Sequence, residues 1–196
     1  MNNNSIIFKL YERPETVFSL HEISQLFPDI AYESMRDRLY YFTKIGKLKR
    51  PSHGIYAKAD FNALELVNKL YKPSYISLET VLAKESVVFQ YYETIFAVSY
   101  LTRSVAVNEI NIQYRQLKGD VLTNTTGIEY KDGYYIASRE RAFLDAIYIY
   151  KNYHFDNLGT IDWQIVDSLK KIYNNKNFEK TVEDYYKDYK EDYGIK

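Results

Sequence analysis

The sequence predicts an α+β fold on three observations. Apolar residues recur at helical spacing up to Ile45, short strand-like runs fill the middle, and amphipathic segments close the chain. The 196 residues are 46% hydrophobic and 27% charged, a balance that favours a folded globule over a disordered chain. That length accommodates one large domain or two small ones.

Ile6, Ile7, Leu10 and Tyr11 lie on one helical face, so Asn4–Tyr11 is expected to form a first helix that Pro14 ends. Val17-Phe18 reads as an extended stub. Ser19 and Glu22 then make the S-x-x-E pattern, in which each side chain satisfies an orphan amide at a helix start, predicting a second helix over Leu20–Phe27. After the Pro28-Asp29 break, a third helix is expected over Tyr32–Ile45. Met35, Leu39 and Phe42 form its buried stripe, and Gly46 suits the left-handed position that closes it. Leu48-Lys49-Arg50 and Ile55-Tyr56-Ala57 read as strands around the turn Pro51-Ser52-His53-Gly54. Helices followed by a hairpin predict an N-terminal winged helix-turn-helix over residues 1–60.

Residues 61–196 are expected to form a mixed domain with an antiparallel sheet and C-terminal helices. Asn62–Tyr71 is an amphipathic connecting helix that Lys72-Pro73-Ser74 terminates. Ser77 is placed to cap a helix over Leu78–Glu85. Strands are expected at Thr94–Tyr100, Val105–Val107, Ile110–Leu117, Ile128–Lys131 and Tyr134–Ala137, with Asp132-Gly133 as a two-residue hairpin turn. Ser138 caps a helix running to Tyr150, and two more helices cover Asp162–Tyr173 and Phe178–Tyr193. The last one is acidic with a tyrosine stripe, suited either to a basic partner or to a core contact beneath a solvated face.

The absence of cysteine excludes a disulfide framework, a thiolate zinc site and a thiol nucleophile. His21, His53 and His154 fall in different expected elements and in no metal-binding spacing, and neither a glycine-rich phosphate loop nor a G-x-S-x-G elbow occurs. No catalytic residue, cofactor or metal is therefore expected. Glu79, Glu140 and Asp145 read as helix-start charges and ion-pair partners. With no basic leader and no apolar run long enough for a membrane, a cytoplasmic, non-enzymatic protein is expected.

Formal net charge is zero, yet the segment from Ala31 to Lys58 holds seven basic residues against two acidic ones. Duplex DNA requires a helix that fits the major groove and cations beside it for the phosphates. The outward arc of the third helix carries Glu33, Arg36, Asp37, Tyr40 and Lys44, flanked by Ser34 and Tyr41, with Arg38 at the edge of the buried stripe. Arg36 and Tyr40 are the expected base-edge readers. Lys44, Lys47, Lys49 and Arg50 are the expected phosphate contacts, and His53 in the hairpin turn joins them. Glu33 and Asp37 oppose this, unless they accept from cytosine or orient an arginine.

Pro73-Ser74-Tyr75-Ile76-Ser77-Leu78-Glu79-Thr80-Val81-Leu82 resembles the PSYISLESAL segment of AbiEi-type antitoxins, the regulators of type IV toxin–antitoxin systems. Tyr135-Ile136-Ala137-Ser138-Arg139-Glu140-Arg141-Ala142-Phe143-Leu144-Asp145 resembles that family's IASPEKALLD motif. Lys84-Glu85-Ser86-Val87-Val88 lacks the glycine of the family's hGLIPE-like stretch, and Arg139 replaces its common proline. The resemblance implies binding of double-stranded promoter DNA by a monomer or weak dimer that represses its own promoter. It also implies a second domain that counteracts a nucleotidyltransferase-type toxin, with Ser77, Glu79, Glu140 and Asp145 as structural signatures. Without it, the residues suit a winged-helix regulator lacking a toxin partner, or a protein-interaction module that never touches DNA.

Overall fold

The structure is a computed structural model that describes residues 3–194, and its architecture is α+β. The first six elements are α1 (Asn3–Glu12), β1 (Val17–Ser19), α2 (Leu20–Leu26), α3 (Tyr32–Lys44), β2 (Lys49–Ser52) and β3 (Ile55–Ala57). They enclose one apolar cluster: Ile6 and Leu10 of α1, Ile23 of α2, the Met35, Leu39 and Phe42 stripe of α3, and Phe18 and Tyr56 of the strands. Each such side chain contributes roughly 1.5–3 kcal/mol on burial. The stripe periodicity therefore sets which face of α3 remains outside.

Local chemistry fixes the ends of these helices. Ser19 and Glu22 form the expected reciprocal box at the start of α2, where the Ser19 amide donates to Glu22 Oε2 (2.8 Å) and the Glu22 amide donates to Ser19 Oγ (3.2 Å). At the end of α3, Gly46 takes φ +73°, its amide donates to the Thr43 carbonyl, and the Lys47 amide donates to that of Phe42. This paired closure needs a residue that tolerates the left-handed region. The three strands form an antiparallel sheet in the order β1-β3-β2, with Phe18 opposite Tyr56. The turn is tighter than expected: Pro51 and Ser52 belong to β2, leaving His53-Gly54 at the tip, and the β2–β3 register is irregular between Lys49 and Ser52.

The chain continues through α4 (Ala63–Leu70), β4 (Ser74–Ile76), α5 (Glu79–Lys84), β5 (Ile95–Ser99), β6 (Arg103–Val107), β7 (Ile110–Gln116), α6 (Gly119–Thr123), β8 (Ile128–Lys131), β9 (Tyr134–Ala137), α7 (Arg139–Tyr150), α8 (Trp163–Leu169) and α9 (Lys176–Asp192). The expectation of an antiparallel sheet is corrected here. The six strands, ordered β6-β7-β5-β4-β9-β8, form a mixed sheet in which β4–β9 and β5–β7 pair in parallel. Strand β4, which the residues around Pro73 concealed, fills the centre and lets two distant hairpins join. Helix α6 was likewise unexpected.

The expected Ser77 cap is also corrected. Leu78, at φ +55°, stands as the N-terminal cap of α5 without a side-chain hydrogen bond, and the Ser77 hydroxyl turns away to donate to Asp145 Oδ2 at 2.8 Å. A buried carboxylate is the stronger acceptor, and the left-handed Leu78 between them reorients the chain. Ser138 does cap α7, accepting from the Arg141 amide. Helix α8 ends in a 3-10 turn, Lys170–Tyr173, and α9 begins two residues earlier than expected because Asn175 caps it. Phe178 and Val182 of α9 are buried and Tyr185 and Tyr189 pack against the core, so much of the tyrosine stripe faces inward.

Helix α4 lies between the two sheets. Leu66 joins Val17, Ile55, Ala57 and Val107 in a small bridging cluster. Buried Glu65 accepts from the Thr16 amide (2.7 Å), the Thr16 hydroxyl (2.8 Å) and the Val17 amide (3.0 Å). Lys69 pairs with Glu22 of α2 at 2.7 Å. Among the described residues, no helix is long and apolar enough to cross a membrane.

Candidate nucleic-acid interface

The burial of Met35, Leu39 and Phe42 leaves the opposite arc of α3 outside. Arg36, Tyr40, Tyr41 and Lys44 are exposed, and Ser34 and Arg38 are half-buried at its margins. Lys47 follows directly after α3, while Lys49, Arg50 and His53 are exposed on β2 and the hairpin tip. Eight of the ten expected contact residues are thus exposed, whereas Ser34 is half-buried and Arg38 is half-buried with its Nη1 enclosed and without a hydrogen-bond partner.

One of them sits over a residue outside the expected set. Tyr56, buried in β3, lies beneath the Arg50 guanidinium, whose centre is 5.9 Å from the ring centroid. Burial raises the Tyr56 hydroxyl above its ordinary pKa, and the positive charges of Arg50 and, less strongly, Arg36 oppose that rise. An Arg50 Nη donates to His53 Nδ1 at 3.1 Å, since a guanidinium has donors only. His53 therefore presents that nitrogen as an acceptor and holds Arg50 at the hairpin tip.

Two further cations lie over aromatic rings. Lys44 lies over the Tyr40 ring at 5.1 Å and Lys49 over Phe61 at 5.7 Å. The Tyr11 hydroxyl donates to the Lys47 carbonyl (3.0 Å) and so ties α1 to the end of α3. Arg36 and Asp37 form an exposed ion pair at 3.7 Å. Such a pair contributes about 0–1 kcal/mol, so Arg36 can exchange it readily for another acceptor. Lys58, counted in the basic segment, is spent internally: its ammonium donates to the Arg13 carbonyl at 2.6 Å. The aromatic supports are legible in the sequence only as apolar residues, because their pairing with cations comes from tertiary packing.

A second polar cluster lies inside the larger core, where the segments around Tyr75 and Arg141 meet. Asp145 accepts from the hydroxyls of Tyr173 (2.6 Å), Ser77 (2.8 Å) and Tyr75 (2.9 Å) and from Arg141 Nε (3.4 Å). Arg141 also donates to the carbonyls of Val121 (2.7 Å) and Thr126 (3.0 Å). Burial pushes the Asp145 carboxyl upward, against the Arg141 guanidinium and the hydroxyl donors. Both side chains are fully enclosed, so this network joins β4, α7 and the Lys170–Tyr173 turn and presents nothing to a ligand. Nearby, Glu140 pairs with Arg139 at 2.7 Å and Glu79 accepts from the Tyr150 hydroxyl at 3.1 Å.

Among the described residues, no group of three or more histidines, cysteines and carboxylates converges on a point where a metal could bind. No protein-family model matches the chain, and comparison with curated proteins gives no match.

Proposed function

We propose that this chain is a DNA-binding regulator in which α1 to β3 act as a winged helix-turn-helix and residues 61–196 as a partner domain. The observation that carries this reading is the exposed cationic face of α3 and the hairpin, with Arg36 and Lys44 on the helix and Lys49 and Arg50 on the hairpin, above an apolar core of their own. Helix α3 enters the major groove of promoter DNA with Arg36 and Tyr40 at base edges. Lys44, Lys47, Lys49, Arg50 and His53 contact the flanking phosphates.

We further propose an AbiEi-like antitoxin role in the cytoplasm: a non-catalytic protein that represses its own promoter as a monomer or weak dimer and counteracts a nucleotidyltransferase-type toxin. Support comes from the two motif-like segments. They are about sixty residues apart in sequence, yet Ile76 pairs with Ile136, and Tyr75 and Ser77 bond Asp145.

Gel-shift titration of the upstream region at several salt concentrations tests the DNA reading. Arg36→Ala is expected to relax sequence preference at a cost of about 1–3 kcal/mol, whereas Lys49→Ala and Arg50→Ala weaken binding to all sequences and flatten the salt slope. Parent-like binding by all three variants would place DNA elsewhere or remove it. Co-expression with the product of a neighbouring nucleotidyltransferase gene tests the antitoxin role, and unrelieved toxicity would refute it.

A further inference from the structure

A cleft of about 530 Å³ opens beyond the end of β7, far in function from the α3 face. Thr102, Arg115, Gln116 and Lys118 form one wall, and Tyr148 and Tyr150 at the end of α7 form the other. Its lining carries two cations and no carboxylate.

Arg115 is held in place but incompletely satisfied. Its guanidinium lies over the Tyr150 ring, 5.6 Å from the centroid, while Nε is buried without a hydrogen-bond partner. An acceptor seated in the cleft would meet the guanidinium where the protein leaves it short of acceptors. The carboxylate whose charge reaches Arg115 is Glu79, and it is already engaged by the Tyr150 hydroxyl at 3.1 Å. Lys118 is exposed at the start of α6, and neither it nor Arg115 forms an ion pair with a described carboxylate. A ring-supported guanidinium and an exposed ammonium on a lining without carboxylates suit a compact oxyanion with several acceptor atoms.

We infer that this cleft binds a phosphate group, supplied either as inorganic phosphate or as the phosphomonoester of a small ligand. The site is independent of the DNA reading, because none of its residues belongs to α3 or the hairpin.

Isothermal titration calorimetry on the full chain, with inorganic phosphate and adenosine monophosphate as probes at matched ionic strength, tests it. Saturable binding of at least one probe is expected, weakened about tenfold or more in Arg115→Gln and several-fold in Lys118→Gln. Tighter binding of the monophosphate identifies an organic ligand, and equal binding identifies free phosphate. Arg36→Gln should leave phosphate binding intact, and Lys118→Gln should leave the DNA gel shift intact. No saturable binding of either probe, or parent-like binding by Lys118→Gln and Arg115→Gln, overturns the site. Should Arg115→Gln fail to fold, exposed Lys118 decides alone.

Discussion

Asp145 and Arg141 are two charges enclosed by the larger core, and their stability rests on complete partnering. Four donors reach the carboxylate, and the guanidinium spreads over Asp145, the Tyr75 hydroxyl and backbone carbonyls. Breaking one side of such a pair leaves the other buried and uncompensated, at a cost of about 3–5 kcal/mol. Asp145→Asn is therefore expected to lower stability by that order in urea denaturation, since it places an amide where hydroxyl donors converge. Tyr75→Phe, which removes one donor, should cost about 1–3 kcal/mol. Parent-like stability in Asp145→Asn would show that the network adds no net stabilisation. The composition of this cluster could not be read from the sequence: Ser77 looked like a helix cap, and only the approach of α7 supplied a better acceptor.

At the scale of elements, two glycine turns that look alike in sequence differ in what surrounds them. Gly54 at the β2–β3 tip has φ +71° and open space where a Cβ would sit. Gly133, between β8 and β9, has φ +88°, and its Cβ would lie 2.8 Å from Glu65 Cδ. Gly54→Ala therefore costs only the backbone strain, about 1 kcal/mol. Gly133→Ala also displaces the carboxylate that holds Thr16 and Val17, and is expected to cost about 2–4 kcal/mol. Thermal melting of the two variants checks this difference, and equal melting temperatures would refute the steric part. The helix stripes, the Ser19–Glu22 box, the Gly46 closure and the Asp132-Gly133 turn were all legible because each depends on neighbours within a few positions. Strand β4 was not, since three buried residues show no periodicity to distinguish them from a helix terminator.

For the molecule as a whole, α4 fastens the α1–β3 elements to the six-stranded sheet through Glu65 and through the ion pairs of Glu22 with Lys69 (2.7 Å) and Lys72 (3.3 Å). Burial by itself would raise the Glu22 carboxyl, but Lys69, the Ser19 amide and Lys72 outweigh it and hold the pKa down at about 2, against an ordinary 4.5. A carboxyl depressed in the folded state contributes stability that is present above its unfolded pKa and lost as pH falls through the folded value. Stability should thus decline between pH 4.5 and 2, and Glu22→Gln should flatten that decline while lowering stability at neutral pH. Denaturant titrations across this window measure the slope, and an unchanged slope in the variant would show that the clamp carries no net charge coupling.

The residues alone determined most of the helices, the Ser19 and Ser138 caps, the hairpin and the exposure of Arg36 and Lys44 on α3, because periodicity, capping and turn chemistry act over a few positions. Only the tertiary structure decided the parallel pairing of β4 with β9 and β5 with β7, the role of Ser77, and the seating of Arg50 over Tyr56. The paired strands and the Ser77–Asp145 partners lie 17 to 68 residues apart, and no local pattern encodes which distant group will provide the better acceptor or the neighbouring strand.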